Sequence, residues 1–125
     1  MATKIFWEEH GILFKHSETI TDEEVMRMND IMYGDVRFES IVYQIADYTD
    51  VTSNLITEKD AKVISTLDKV SAQWSSQRMR LAVVTRDEKF IPVVEGYFKE
   101  FEGTFWEGMI FENLSDAYAW VKQIT

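Results

Sequence analysis

"IVYQIADYTDVTSNLITEKDAK", residues Ile41–Lys62, passes from an apolar stretch through a polar one into a helix start. Ile41, Val42, Tyr43, Ile45 and Ala46 are nearly continuous and mostly β-branched or aromatic, which predicts a strand covered on both faces over Ser40–Thr49. Asp47, Thr49, Asp50, Thr52, Ser53 and Thr57 then fall within eleven positions and predict a polar loop from Asp47 to Thr57. Thr57 opens a helix, with Asp60 three positions on as its capping partner. Val63, Ile64, Leu67, Val70 and Trp74 follow at offsets of three and four, a stripe expected to face the core.

Working outward, the same pattern repeats. Lys4–Glu9 and Ile12–Ile20 read as two strands joined by a tight turn at His10-Gly11, an antiparallel hairpin. "TDEE", Thr21–Glu24, is a capping box ahead of a helix over Asp22–Tyr33, with Val25, Met28 and Met32 on one face and Gly34 as the stop. Arg80–Thr85 is an apolar-centred strand. Pro92 fits only the first turn of a helix, so the next one starts near Phe90 or Ile91, buries Val94, Tyr97, Phe98 and Phe101, and ends at Gly103. Phe105–Phe111 is the last strand, and Leu114–Ile124 the last helix, with Tyr118, Val121 and Ile124 inward. The order is β-β-α-β-α-β-α-β-α. Alternation after the hairpin implies right-handed crossovers and a mainly parallel α/β sheet.

At 125 residues the chain is read as a single domain, 1–125, with 46% hydrophobic and 14% aromatic residues to build a core. No cysteine is present, which removes disulfides, thiolate catalysis and cysteine-ligated zinc. A net charge of −9 repels nucleic acid and anionic lipid, so neither is expected as a partner. No signal-peptide core or membrane-length apolar run occurs, and the expected location is cytoplasmic.

Three segments are similar to the STAS family, the sulphate-transporter and anti-sigma-factor-antagonist domain, in its stand-alone bacterial form. "HGILFKHSETITDEEV" (His10–Val25) resembles the family's opening, although Glu18 stands where that motif usually has Gly. "VYQIADYTDVTSNLITEKDAK" (Val42–Lys62) resembles the strand ending in Asp, the loop and the second helix. "IFENLSDAYAWVKQ" (Ile110–Gln123) resembles a common ending. The resemblance implies a non-enzymatic regulatory module that works through a protein partner or a second copy of itself. Its contact surface would be Asp47, Thr49, Asp50, Thr52, Ser53 and Glu58. It also implies a phosphoacceptor at the head of the second helix. The family pattern there resembles Asp-Ser-Ser-Gly, and Thr57 is the one hydroxyl this chain offers at that place.

The residues themselves leave other readings open. Asp47 and Asp87 follow neighbouring strands, where open sheets bind ligands, and with Asp50 they are oxygen donors of the kind Mg²⁺ takes. A phosphoaspartate site would also want a lysine, and Lys59 is the local candidate. His10 and His16 lie across the hairpin with no third ligand in view, so no metal and no cofactor is expected. No nucleophile–base spacing is visible, which weighs against an enzyme. "YFKEFEGTFW" concentrates Tyr97, Phe98, Phe101, Phe105 and Trp106, a candidate apolar pocket for a small lipid-like ligand or a dimer face.

Overall fold

Ile12, Phe14, Ile45, Leu81 and Val84 are sealed in the middle of a five-stranded sheet whose spatial order, β1-β2-β3-β4-β5, is also the sequence order. A computed structural model describes residues 3–75 and 77–124, with the side chain of Ile124 outside the described set. The strands are β1 (Thr3–Trp7), β2 (Gly11–Ile20), β3 (Tyr43–Asn54), β4 (Met79–Val84) and β5 (Trp106–Phe111). The helices are α1 (Asp22–Tyr33), α2 (Glu58–Trp74), α3 (Ile91–Lys99) and α4 (Leu114–Val121). Short 3-10 turns occupy Val36–Ser40 and Lys122–Ile124; the first of these has no counterpart in the pattern reading. β1 and β2 are antiparallel, and every other pairing is parallel, so the α/β class and the element order are as expected.

Alternation along the strands divides the core. Phe14 and Leu81 pack with Met28, Met32, Ala72 and Phe101 under α1, α2 and α3. Leu13, Tyr43, Ile45, Ala82 and Val84 pack on the other face with Ala117 and Val121 of α4. Gly11 makes the second layer possible, because a Cβ there would lie 2.2 Å from the Tyr43 ring. The Tyr43 hydroxyl then donates to Glu8 Oε1 at 2.6 Å, and Tyr118 of α4 donates to Glu8 Oε2 at 2.6 Å.

Three expectations are corrected. The loop expected at Asp47–Thr57 is mostly strand. β3 continues to Asn54 because Asp50, Val51, Ser53 and Asn54 pair with Ser17–Ile20 of β2 across two register shifts. β4 pairs with β3 only as far as Asp47, so the rest of β3 runs on with β2 as a two-stranded ribbon. Secondly, α2 is turned. Its inner face is Ala61, Ile64, Ser65, Asp68 and Ala72, while Val63, Leu67, Val70 and Trp74 face outward. Both rows satisfy helical periodicity; small residues and the bonds of Asp68 decide which one packs. Thirdly, the Glu24 carboxylate does not close the box at α1, since it pairs with Arg27. Thr21 still caps by accepting from the Glu24 N–H at 3.2 Å.

Candidate functional site

Asp47 sits at the last position where β3 touches β4, and its carboxylate is 1% accessible. Parallel register sets Lys15 of β2 beside it. The Lys15 ammonium donates to Asp47 Oδ2 at 3.1 Å and lies 3.2 Å from Asp50 Oδ2. Thr49 donates to Asp47 Oδ1 twice, from its N–H at 3.0 Å and its hydroxyl at 2.7 Å. Burial pushes the Asp47 carboxyl up, but the two Thr49 bonds and the Lys15 ammonium outweigh it and hold the group below its ordinary value. The same carboxylates, led by the Asp47 bond, raise the Lys15 ammonium. The cluster is therefore a closed ion pair with its donors assigned.

The three aspartates of the metal reading do not converge. Asp87 accepts from the Lys89 N–H at 3.0 Å and shapes the approach to α3. Among the described residues no three His, Asp or Glu side chains are gathered as a metal would require. The lysine beside Asp47 is Lys15; Lys59 lies exposed on α2.

Thr57 is exposed at the N-cap of α2 in a complete capping box. Its hydroxyl accepts from the Asp60 N–H at 3.1 Å, and Asp60 Oδ2 accepts from the Thr57 N–H at 3.0 Å. Of the stretch before it, Thr49, Asp50, Thr52 and Ser53 are exposed, as is Glu58. Asp47 is buried and supports that surface from beneath. The outer face of α2 adds the row Val63, Leu67, Val70 and Trp74, with Trp74 87% accessible and Leu67 54%. Glu58, Lys59 and Lys62 border this row, and Lys62 reaches Glu100 at 3.8 Å.

The aromatic concentration is split up by the fold. Phe101 and Trp106 are core residues with rings 5.8 Å apart, and Phe98 is half-buried beside them. Only Phe105 of the five is exposed. Tyr97 turns inward, where its hydroxyl donates to Asp68 Oδ2 at 2.7 Å. Tyr33 donates to Asp68 Oδ1 at 2.8 Å, so one buried carboxylate joins α1, α2 and α3. Burial raises the Asp68 carboxyl, with the two tyrosine bonds pulling it partly back. His16 is equally sealed; its Nδ1 and the Thr3 hydroxyl are 2.6 Å apart, and burial lowers it to about 4.

Lys15, His16 and Asp68 carry the polar interior, and local pattern does not single them out as a set. Lys15 and Asp47 are joined by strand register, and Asp68 lies in a helix whose other stripe is the more apolar. The one available signal was Asp68 itself, a carboxylate aligned with Ala61, Ile64 and Ala72.

No protein-family model and no curated protein matches the sequence. Solved structures do. A crystal structure of an uncharacterised DUF3478-family protein with a SpoIIAA-like fold, from Shewanella loihica PV-4, superposes with a TM-score of 0.56 at 19% identity. An anti-sigma factor antagonist from Mycobacterium paratuberculosis gives a TM-score of 0.59 at 12% identity. Each match covers 96% of this chain and 92% of the other. No helix among the described residues is long and apolar enough to cross a membrane. With its hairpin, parallel strands and four helices, the chain has the SpoIIAA-like, STAS-type α/β fold.

Proposed function

We propose that this chain is a non-enzymatic regulatory module that acts by binding another protein, with the outer face of α2 as its contact surface. The observation that carries the reading is the single exposed row of Val63, Leu67, Val70 and Trp74. A row of this length matches what a partner's amphipathic helix or groove would cover, and an exposed tryptophan is a common anchor of such contacts. Lys59 and Lys62 border the row in a chain whose net charge is −9. Lysines beside an apolar row suit a different protein with an acidic rim. The likeness to a protein named as an anti-sigma factor antagonist supports a role in protein contact. Thr49, Asp50, Thr52, Ser53 and Glu58 precede or open the helix and extend the proposed surface. The expected cytoplasmic location is part of the same proposal.

Thr57, at the head of that helix, is the proposed phosphoacceptor. A phosphate there would replace the bond from the Asp60 N–H and bring its charge beside Glu58 and Asp60, loosening the first turn. Peptide mapping of protein purified from its own host decides this, and an unmodified Thr57 withdraws it.

The test of the surface uses a photo-reactive residue in place of Val70, compared with the Leu67→Asp variant. The expected result is a cross-link from position 70 to an acidic partner, lost in Leu67→Asp while the melting temperature holds. Equal capture by Leu67→Asp would overturn the reading. Concentration-dependent dimers abolished by Leu67→Asp would assign the face to a second copy and overturn the acidic partner.

A further inference from the structure

Between the sheet and α1–α3 lies a cavity of about 90 Å³. Its walls are apolar and largely aromatic, including Phe14, Phe90 and Phe98. That volume lies between the roughly 30 Å³ occupied by one water and the about 150 Å³ of an engineered apolar cavity that takes benzene. The polar groups on its wall are His16, Asn29, Gln44, Tyr48 and Tyr97. Three of them are engaged elsewhere. His16 meets Thr3, and Tyr97 and Asn29 both donate to Asp68. Gln44 differs: its Nε2 is buried without a hydrogen-bond partner among the described residues. It stands at mid-strand on β3, in register with Ile12 and Leu81, where an apolar side chain would complete the core. An orphaned donor facing an apolar space is the arrangement of small-molecule pockets, in which a few polar groups orient a ligand held by contact area.

We propose that this cavity is a binding site for a small uncharged molecule of about four non-hydrogen atoms, whose one acceptor oxygen takes a hydrogen bond from Gln44 Nε2. The ligand is uncharged because, among the described residues, the wall holds no lysine or arginine to pair an anion. The nearby Asp68 carboxylate repels an anion, and its charge is already met by donors from Tyr33, Tyr97 and Asn29. Its size follows from the volume, which is smaller than a cavity that takes benzene. The site lies inside the fold, away from the α2 outer face, and stands or falls separately from the protein-contact reading.

The experiment titrates the full chain with acetone and with isobutene, which matches its shape without the acceptor, and follows side-chain NMR signals. Acetone is expected to shift the Gln44 amide together with the Ala46, Ala61 and Ile64 methyls, saturably. Isobutene should shift the methyls and leave the amide in place. Gln44→Leu should weaken acetone relative to isobutene by about tenfold, the worth of one neutral hydrogen bond. A Gln44 amide unmoved by acetone, or a ratio unchanged in Gln44→Leu, would overturn the proposal. So would a long-lived water found on the Gln44 amide in the presence of the ketone. The wild-type titration alone decides if Gln44→Leu does not fold.

Discussion

The Lys15 ammonium rests 3.1 Å from Asp47 Oδ2, although the two residues are 32 positions apart in the chain. Neighbouring parallel strands in register bring them together, and burial of Asp47 makes the pairing matter. Lys15→Met removes the charge and keeps the stem, leaving Asp47 with only the Thr49 donors. The expected loss is about 3 kcal/mol, the low end for breaking a buried pair because Lys15 is part-exposed. Adding Asp47→Asn should recover part of it, since no unpaired charge remains. Urea denaturation of the two variants reads this out. A Lys15→Met midpoint equal to wild type would show that Thr49 alone satisfies Asp47.

His16 predicts a specific acid sensitivity. In the fold it stays neutral down to about 4, whereas in the unfolded chain it protonates near its ordinary value of 6.5. Its contribution to stability is therefore complete above pH 6.5 and is lost as pH falls from there to about 4. At roughly 1.4 kcal/mol per pH unit the loss reaches about 3 kcal/mol. His16→Gln should remove that slope. The measurement is unfolding free energy from pH 7 to pH 4 for both proteins, and parallel curves would contradict the assignment.

Asp68 acts with the opposite sign. Its folded value is raised, so its contribution is present below the ordinary carboxylate range near 3.8 and is lost as pH rises through the raised value. Asp68→Asn keeps an acceptor for one tyrosine and carries no charge. The stability of Asp68→Asn relative to wild type should therefore increase with pH between 4 and 8. A relative stability that falls with pH would mean that the ionised carboxylate is the better partner for Tyr33 and Tyr97.

Glu18 has a φ of 59°, in the left-handed region that a side chain disfavours. It adjoins the register shift that lets β2 and β3 run on as a ribbon. Glu18→Gly should stabilise the chain by about 0.5–1 kcal/mol, since relief of strain exceeds the added freedom of the unfolded chain. Thermal melts of the two proteins test it, and a lower melting temperature for Glu18→Gly would refute it.

Legibility followed the range of the interactions. α1 could be read to the residue because Thr21 and Gly34 are local signals acting on adjacent backbone. The end of β3 could not, because Thr49–Asn54 have the composition of a loop and become strand only by pairing with Ser17–Ile20. The face of α2 was read inside out because Val63, Leu67, Val70 and Trp74 are the more apolar row, while Ala61, Ser65 and Asp68 pack inward by being small or bonded. The Gly position in the family's opening proved informative in this chain's own geometry, since Glu18 keeps the backbone that a glycine would adopt without strain. Thr57 was legible as a cap, and Lys15 was not legible as the partner of Asp47. The first depends on three residues of chain and the second on a complete sheet.

Glu8 accepts from Tyr43 and from Tyr118, and the second bond spans 110 positions. During synthesis the chain leaves the ribosome from its amino end, and β1 to β4 emerge well before α4. Leu13, Tyr43, Ile45 and Val84 then present a bare apolar face until Ala117 and Val121 arrive to cover it. Nascent chains stalled before Leu114 should therefore recruit chaperones, and release should coincide with the docking of Ala117 and Val121. The Glu8–Tyr118 bond would then form only when α4 docks.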